Sequence, residues 1–237
     1  MNFSGINKTT LLDYPNHLAC MLFVSGCNFR CPYCHNSSLV LNESTEVYFQ
    51  QDILNFLNKR VNILEGVCIS GGEPTIYEDL KDFIIKIKAS TSLKVKIDTN
   101  GTNPKLIKEL INERLIDYVA MDIKSDIENY LDACGVKDHE LLDNIKKSID
   151  LLKENKVDYE FRTTVVKGIH TLRNFENIGK MLKGESKYYI QNYLDSGDIL
   201  YKRNNKKDVL TGFNESELNK IKNILGGYLS NVIIRNK

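Results

Sequence analysis

Residues 19–36 read ACMLFVSGCNFRCPYCHN, an apolar run of strand type that opens into a loop carrying Cys27, Cys31 and Cys34. Runs of similar length recur at 66–70 (GVCIS), 93–98 (LKVKID), 117–122 (DYVAMD), 158–165 (DYEFRTTV) and 187–192 (KYYIQN). Between them the apolar residues shift to helical spacing. Leu80, Phe83, Ile84 and Ile87 share one helical face, as do Ile107, Leu110 and Ile111, and then Leu142, Ile145, Ile149 and Leu152. Asn103-Pro104 supplies a capping residue and a first-turn proline. Asn214 with Glu217 has the form of a capping box opening a last helix over 215–229. Six strand-then-helix units in series predict a parallel sheet with helical crossovers. Six are too few for a closed eight-fold barrel; an open, curved partial barrel and a doubly wound sheet both fit. In either, ligands sit at the carboxyl ends of the strands, where the cysteine-rich and glycine-rich segments fall.

Composition narrows the partners. The 237 residues carry 32 lysines and arginines against 31 aspartates and glutamates, a formal balance of +1. That balance offers no field for nucleic acid or an anionic membrane, and neither is expected as a partner. No apolar run approaches the roughly 20 residues of a membrane span. The opening MNFSGINKTTLLDYPN lacks the basic-then-apolar pattern of a secretory signal, so a cytoplasmic location is expected. No linker rich in proline, glycine or serine divides the chain, which predicts a single domain. The stretch 202–207 (KRNNKK) is read as a solvated basic loop.

In a reducing compartment, three cysteines crowded into one loop point to a metal or cluster rather than to disulfides. The spacing Cys-x3-Cys-x2-Cys can wrap a four-iron cubane while leaving one iron open. A zinc site with His35 as fourth ligand is the alternative. Cys20 and Cys68 lie in apolar runs and Cys134 in LDACGV, where a thiol serves as a small packing group. The segment Ser70-Gly71-Gly72-Glu73-Pro74-Thr75 closes the second strand candidate and by itself reads as a turn.

Together, in this order and each after a strand, the two motifs resemble the radical SAM superfamily. The resemblance implies an open partial (β/α)6 barrel, with a core over 1–200 and a C-terminal helical tail over 201–237 packed on it. It implies that Cys27, Cys31 and Cys34 hold one [4Fe-4S] cluster whose open iron is chelated by S-adenosylmethionine. By the same match Tyr33 lies near the adenine, and Gly71, Gly72 and Glu73 bind the methionine end. Asp98 in Asp98-Thr99-Asn100-Gly101, Asp122 and Lys124 in Met121-Asp122-Ile123-Lys124, and Arg162 are similar to residues that glycyl-radical activating enzymes place around the cofactor. A histidine that some of them carry after the sixth strand has no counterpart; Gln191-Asn192-Tyr193 stands there.

The lead-in Lys8 to Pro15 (KTTLLDYP) and the exit Cys34-His35-Asn36 are most similar to the anaerobic ribonucleotide reductase activating branch. That resemblance implies reductive cleavage of S-adenosylmethionine to a 5′-deoxyadenosyl radical and installation of a glycyl radical on a partner enzyme. A one-electron donor such as a flavodoxin or ferredoxin is implied as a second partner. The difficult chemistry is the cofactors', and no side chain is required as a catalytic acid or base. Two other readings fit fewer features: a radical SAM enzyme acting on a small molecule, such as a deazapurine-forming synthase, and a non-catalytic iron–sulfur or zinc module.

Overall fold

The computed structural model describes residues 1–195, 199–200 and 210–235. Among these, the strands are β1 (Phe3–Thr10), β2 (Ala19–Val24), β3 (Gly66–Gly71), β4 (Lys94–Thr99), β5 (Tyr118–Asp122), β6 (Asp158–Val165), β7 (Gly184–Asn192) and β8 (Leu229–Arg235). The helices are α1 (Ser37–Val40), α2 (Gln50–Asn58), α3 (Leu80–Ser90), α4 (Pro104–Asn112), α5 (Tyr130–Cys134), α6 (Glu140–Lys153), α7 (Leu172–Leu182) and α8 (Glu215–Gly226).

All strands form one sheet in the order β1-β2-β3-β4-β5-β6-β7-β8. From β2 to β8 every neighbouring pair is parallel; β1 runs antiparallel to β2. A doubly wound sheet needs a reversal of strand order. Strict sequential order has none, so the crossover helices stack on one face and the sheet curls into a partial barrel. The sheet is not closed: β1 and β8 are its two edges.

The six strands expected from sequence are β2 to β7. The alternation in each sends one set of side chains outward to the helices and the other into the lumen. Val67, Ile69, Val95, Ile97, Val119, Met121 and Phe161 join the outer core with Phe83, Ile84, Ile107, Ile145 and Ile149 of the helices. A smaller inner cluster of Ala19, Met21, Cys68, Tyr118 and Ala120 is completed by Tyr14. Tyr14 comes from the loop between β1 and β2, so the Asp-Tyr-Pro lead-in packs its tyrosine against the amino-terminal half of the lumen.

Local signals behave as expected. Asn103 Oδ1 accepts the Leu106 N–H at 3.1 Å, and Asn214 and Glu217 exchange the two bonds of a capping box. The structure departs from expectation at both ends. β1 adds an antiparallel edge, and the last helix stops at Gly226, where Gly226-Gly227 ends favourable helix propensity. Leu229–Arg235 then pairs parallel with β7, so the tail ends in an eighth strand after its helix. The basic stretch 202–207 lies outside the described residues. Among the described residues no helix is long and apolar enough to cross a membrane.

Candidate active site at the carboxyl ends of the strands

The cysteine loop leaves the end of β2 and is held from three directions. Gly26 N–H donates to the Leu39 carbonyl at 2.7 Å, Glu73 N–H to the Gly26 carbonyl at 2.9 Å, and Arg30 N–H to the Cys134 carbonyl at 2.8 Å. Gly135, in a left-handed conformation (φ +66°), lets the end of α5 approach the Arg30 backbone. Cys134 therefore lies under the loop, its carbonyl held by the Arg30 N–H. The sequence treats Cys134 as isolated, because nothing in LDACGV reveals a partner a hundred residues away.

The loop aims a backbone N–H at sulfur. Phe29 N–H donates to Cys27 Sγ at 3.3 Å. Burial pushes the Cys27 thiol up to about 12, and it raises Cys34 as well. Such thiols ionise when a metal takes the proton's place, and the N–H dipole directed at Cys27 then favours its thiolate. Among the described residues no three His, Cys, Asp or Glu side chains converge closely enough for a single metal ion. His35 stacks on Tyr193, with ring centroids 5.3 Å apart. Tyr33 is buried and its hydroxyl has no hydrogen-bond partner among the described residues, which makes it a polar group available to a ligand. This donor set fits a multi-iron cluster with a polar cofactor beside it.

Gly71 and Gly72 bring β3 against the start of the cysteine loop. Gly72 N–H donates to the Val24 carbonyl at 2.8 Å, and a Cβ on Gly72 would overlap the Gly26 carbonyl. Gly71, at φ +111°, would overlap the Val24 backbone in the same way. The close approach that these glycines permit in the chain is to the loop itself. Glu73 is 2% exposed, and its carboxylate accepts from Thr75 N–H (3.0 Å), Thr75 Oγ1 (2.5 Å), Thr99 Oγ1 (2.8 Å) and Asn100 N–H (2.6 Å).

Asp98, Asp122, Lys124 and Arg162 meet in one network on the lumen side. Arg162 Nη2 lies 3.1 Å from Asp98 Oδ2 while its Nε donates to Asp122 Oδ1. Lys124 Nζ is 2.9 Å from Asp122 Oδ2. Burial alone would raise both aspartates, but the cations outweigh it and hold both carboxyls below their usual range. The same pairing, against the cost of burial, holds Lys124 well above its ordinary value. Sequence reasoning missed two members. Lys96 pairs with Asp98 from the preceding inward position of β4, and Ser70 Oγ donates to Asp98 at 3.0 Å. Two-residue alternation in LKVKID was the available signal, since it puts Lys96 and Asp98 on one face. Asn192 is committed elsewhere, its amide clamping the Phe213 N–H and carbonyl.

Comparison with known proteins bears on the family and the fold. A protein of Methanocaldococcus jannaschii, named as a candidate glycyl-radical enzyme activating enzyme, is 36% identical over 238 residues, covering 98% of this chain and 95% of its own. A second protein of that organism with the same designation is 30% identical over 95% of this chain and 80% of its own. The structure of Streptococcus suis SuiB bound to S-adenosylmethionine superposes with a TM-score of 0.67 at 16% identity. The alignment covers 92% of this chain but 51% of SuiB, so this chain spans about half of that protein and shares its fold. With the radical SAM superfamily model matching residues 21–183 as well, the chain belongs to that superfamily, whose members use a [4Fe-4S] cluster and S-adenosylmethionine.

Proposed function

We propose that the protein activates a glycyl-radical enzyme, with anaerobic ribonucleotide reductase as the first candidate partner and a flavodoxin or ferredoxin as electron donor. The observation that carries this reading is the 36% identity to a candidate activating enzyme, which spans nearly all of both chains. Two features support it. The span between Cys34 and Gly71 holds a single cysteine, Cys68, buried in β3, so no cysteine-rich second-cluster segment is inserted there. The sheet also stays open between β1 and β8, which suits a bulky peptide loop as substrate.

In this reading Cys27, Cys31 and Cys34 hold the cluster, and Tyr33, the Gly71–Glu73 segment, Asp98, Asp122, Lys124 and Arg162 surround S-adenosylmethionine. When bound, cluster and cofactor supply reductive carbon–sulfur cleavage and a 5′-deoxyadenosyl radical able to take a glycine hydrogen. The chain's own work is orientation and exclusion of water. Lys124 offers N–H donors beside Asp122, and Arg162 fixes both aspartates in their ionised form. Neither aspartate is available as a general base, consistent with chemistry that requires none.

The test mixes the reconstituted protein with an anaerobic ribonucleotide reductase subunit, S-adenosylmethionine and dithionite without oxygen. A glycyl doublet by electron paramagnetic resonance, with 5′-deoxyadenosine formed alongside, supports the proposal. Consumption of a small metabolite, with no doublet on any glycyl-radical subunit, replaces it with the small-molecule reading.

A further inference from the structure

Glu73 closes a chain of hydrogen bonds that ends inside the cysteine loop. Its carboxylate accepts four bonds from the protein, three at Oε1 and one at Oε2. One of those bonds fixes the backbone of Asn100 just past the end of β4. From there the Asn100 side chain turns toward the loop. Its Oδ1 accepts from Thr102 N–H (3.1 Å) and Thr102 Oγ1 (2.7 Å), and its Nδ2 donates to Asn28 Oδ1 at 2.8 Å. Asn28 Nδ2 returns to Thr102 Oγ1 at 2.8 Å, which closes a ring of three side chains. Asn28 lies between Cys27 and Phe29, and the Phe29 N–H is the donor to Cys27 Sγ. The orientation of that peptide segment, and of the sulfur it serves, is therefore set by two amides from different strand ends.

We infer that Asn28 and Asn100, braced by Glu73, are positioning residues that hold the Cys27 limb of the loop in its ligating geometry. Glu73 acts through them and through the neighbouring threonines, with its own carboxylate committed to the protein. The physical requirement is plain: the loop has little regular structure of its own, and three ligands on one loop bind a rigid cluster well only if the loop is ordered beforehand. The inference rests on the reading that Cys27, Cys31 and Cys34 hold the cluster.

The test compares wild type, Asn28→Ala, Asn100→Ala, the double variant and Asn28→Asp. Each is reconstituted without oxygen, and two properties are measured: iron release to a ferrous chelator, and the paramagnetic resonance spectrum of the dithionite-reduced cluster. Loss of the amide link is expected to speed iron release about fivefold to thirtyfold, the range for one or two hydrogen bonds' worth of free energy. The double variant should be no faster than the faster single, because either substitution already opens the same three-residue ring. Asn28→Asp keeps an acceptor for Asn100 and should fall between. The spectrum of the reduced cluster should change shape in Asn28→Ala, which a general loss of stability would not cause. Should Asn100→Ala fail to fold, Asn28→Ala decides. Wild-type release and spectrum in Asn28→Ala, or additive effects in the double variant, overturn the inference. A wild-type protein that takes up no cluster overturns the cysteine reading itself, and this inference with it.

Discussion

Gly72 and Gly26 meet backbone to backbone, so closely that a Cβ on Gly72 would occupy the place of the Gly26 carbonyl oxygen. Gly26 immediately precedes Cys27. A side chain at Gly72 therefore pushes on the cysteine loop first. Gly72→Ala is expected to cost about 1–3 kcal/mol, the usual penalty for overpacking, and Gly72→Val more. Iron bound per chain after reconstitution should fall in both, measured beside the urea unfolding midpoint. Full iron loading with weakened S-adenosylmethionine binding alone would instead place the strain on the cofactor.

Glu73→Gln tests the four bonds accepted by the carboxylate. Glutamine has one acceptor oxygen, so its NH2 group must face at least one of the buried donors now served by Glu73. An unsatisfied buried donor costs about 1–3 kcal/mol. The urea midpoint should drop accordingly, with or without cofactor present. A variant as stable as wild type would contradict the four-bond assignment.

Arg162 neutralises two carboxylates at once, so its loss leaves Asp98 with Lys96 alone and Asp122 with Lys124 alone. Arg162→Met should destabilise by about 3–5 kcal/mol, the range for breaking a buried pair. The sign of the acid dependence follows from the depressed carboxyls. Wild-type stability from this network is present above the ordinary aspartate range and is lost as pH falls through the lower folded values. Acid unfolding of Arg162→Met should begin at higher pH than in wild type; an unchanged acid midpoint would contradict the network.

His170 gives a pH effect nearer neutrality. Its Nδ1 accepts the Val166 N–H at 3.0 Å, so Nε2 carries the proton and donates to the Lys124 carbonyl at 2.8 Å. Burial depresses its pKa, whereas the unfolded chain protonates near the ordinary value of about 6.5. The stability this neutral ring confers is present above that value and declines as pH falls below it. Urea midpoints should therefore drop on moving from about pH 7.5 to about pH 5.5, and less so in His170→Gln. Equal drops in both proteins would remove His170 as the cause.

Much of this architecture is legible in the chain, for reasons visible in particular residues. Val67-Ile69, Val95-Ile97 and Val119-Met121 alternate against inward positions, and that pattern marks central strands. The polar β1 (FSGINKTT) carries no such alternation, and β8 follows its helix too closely to stand out. Asp98, Asp122 and Arg162 were singled out by family resemblance, since a strand-end Asp98-Thr99-Asn100-Gly101 reads by itself as a turn and Arg162 stands within β6. Lys96 was missed because a lysine in a strand suggests solvent, whereas the lumen gives it a buried carboxylate. The contacts of Cys134 with Arg30 and of Asn28 with Asn100 depend on loops that meet only after folding, and no local spacing encodes them.

The central claim is one [4Fe-4S] cluster held by Cys27, Cys31 and Cys34, with one iron left for S-adenosylmethionine. It is tested most directly by iron and sulfide analysis, with the paramagnetic resonance spectrum recorded before and after adding S-adenosylmethionine. Wild type and single-alanine variants of all six cysteines are reconstituted without oxygen for the comparison. About four irons per chain are expected, with a spectrum that shifts on adding S-adenosylmethionine. Alanine at Cys27, Cys31 or Cys34 should abolish that shift, while Cys20→Ala, Cys68→Ala and Cys134→Ala retain it, the last despite its place under the cysteine loop. A second cluster, or a shift that survives loss of any of the three ligands, would contradict the central claim.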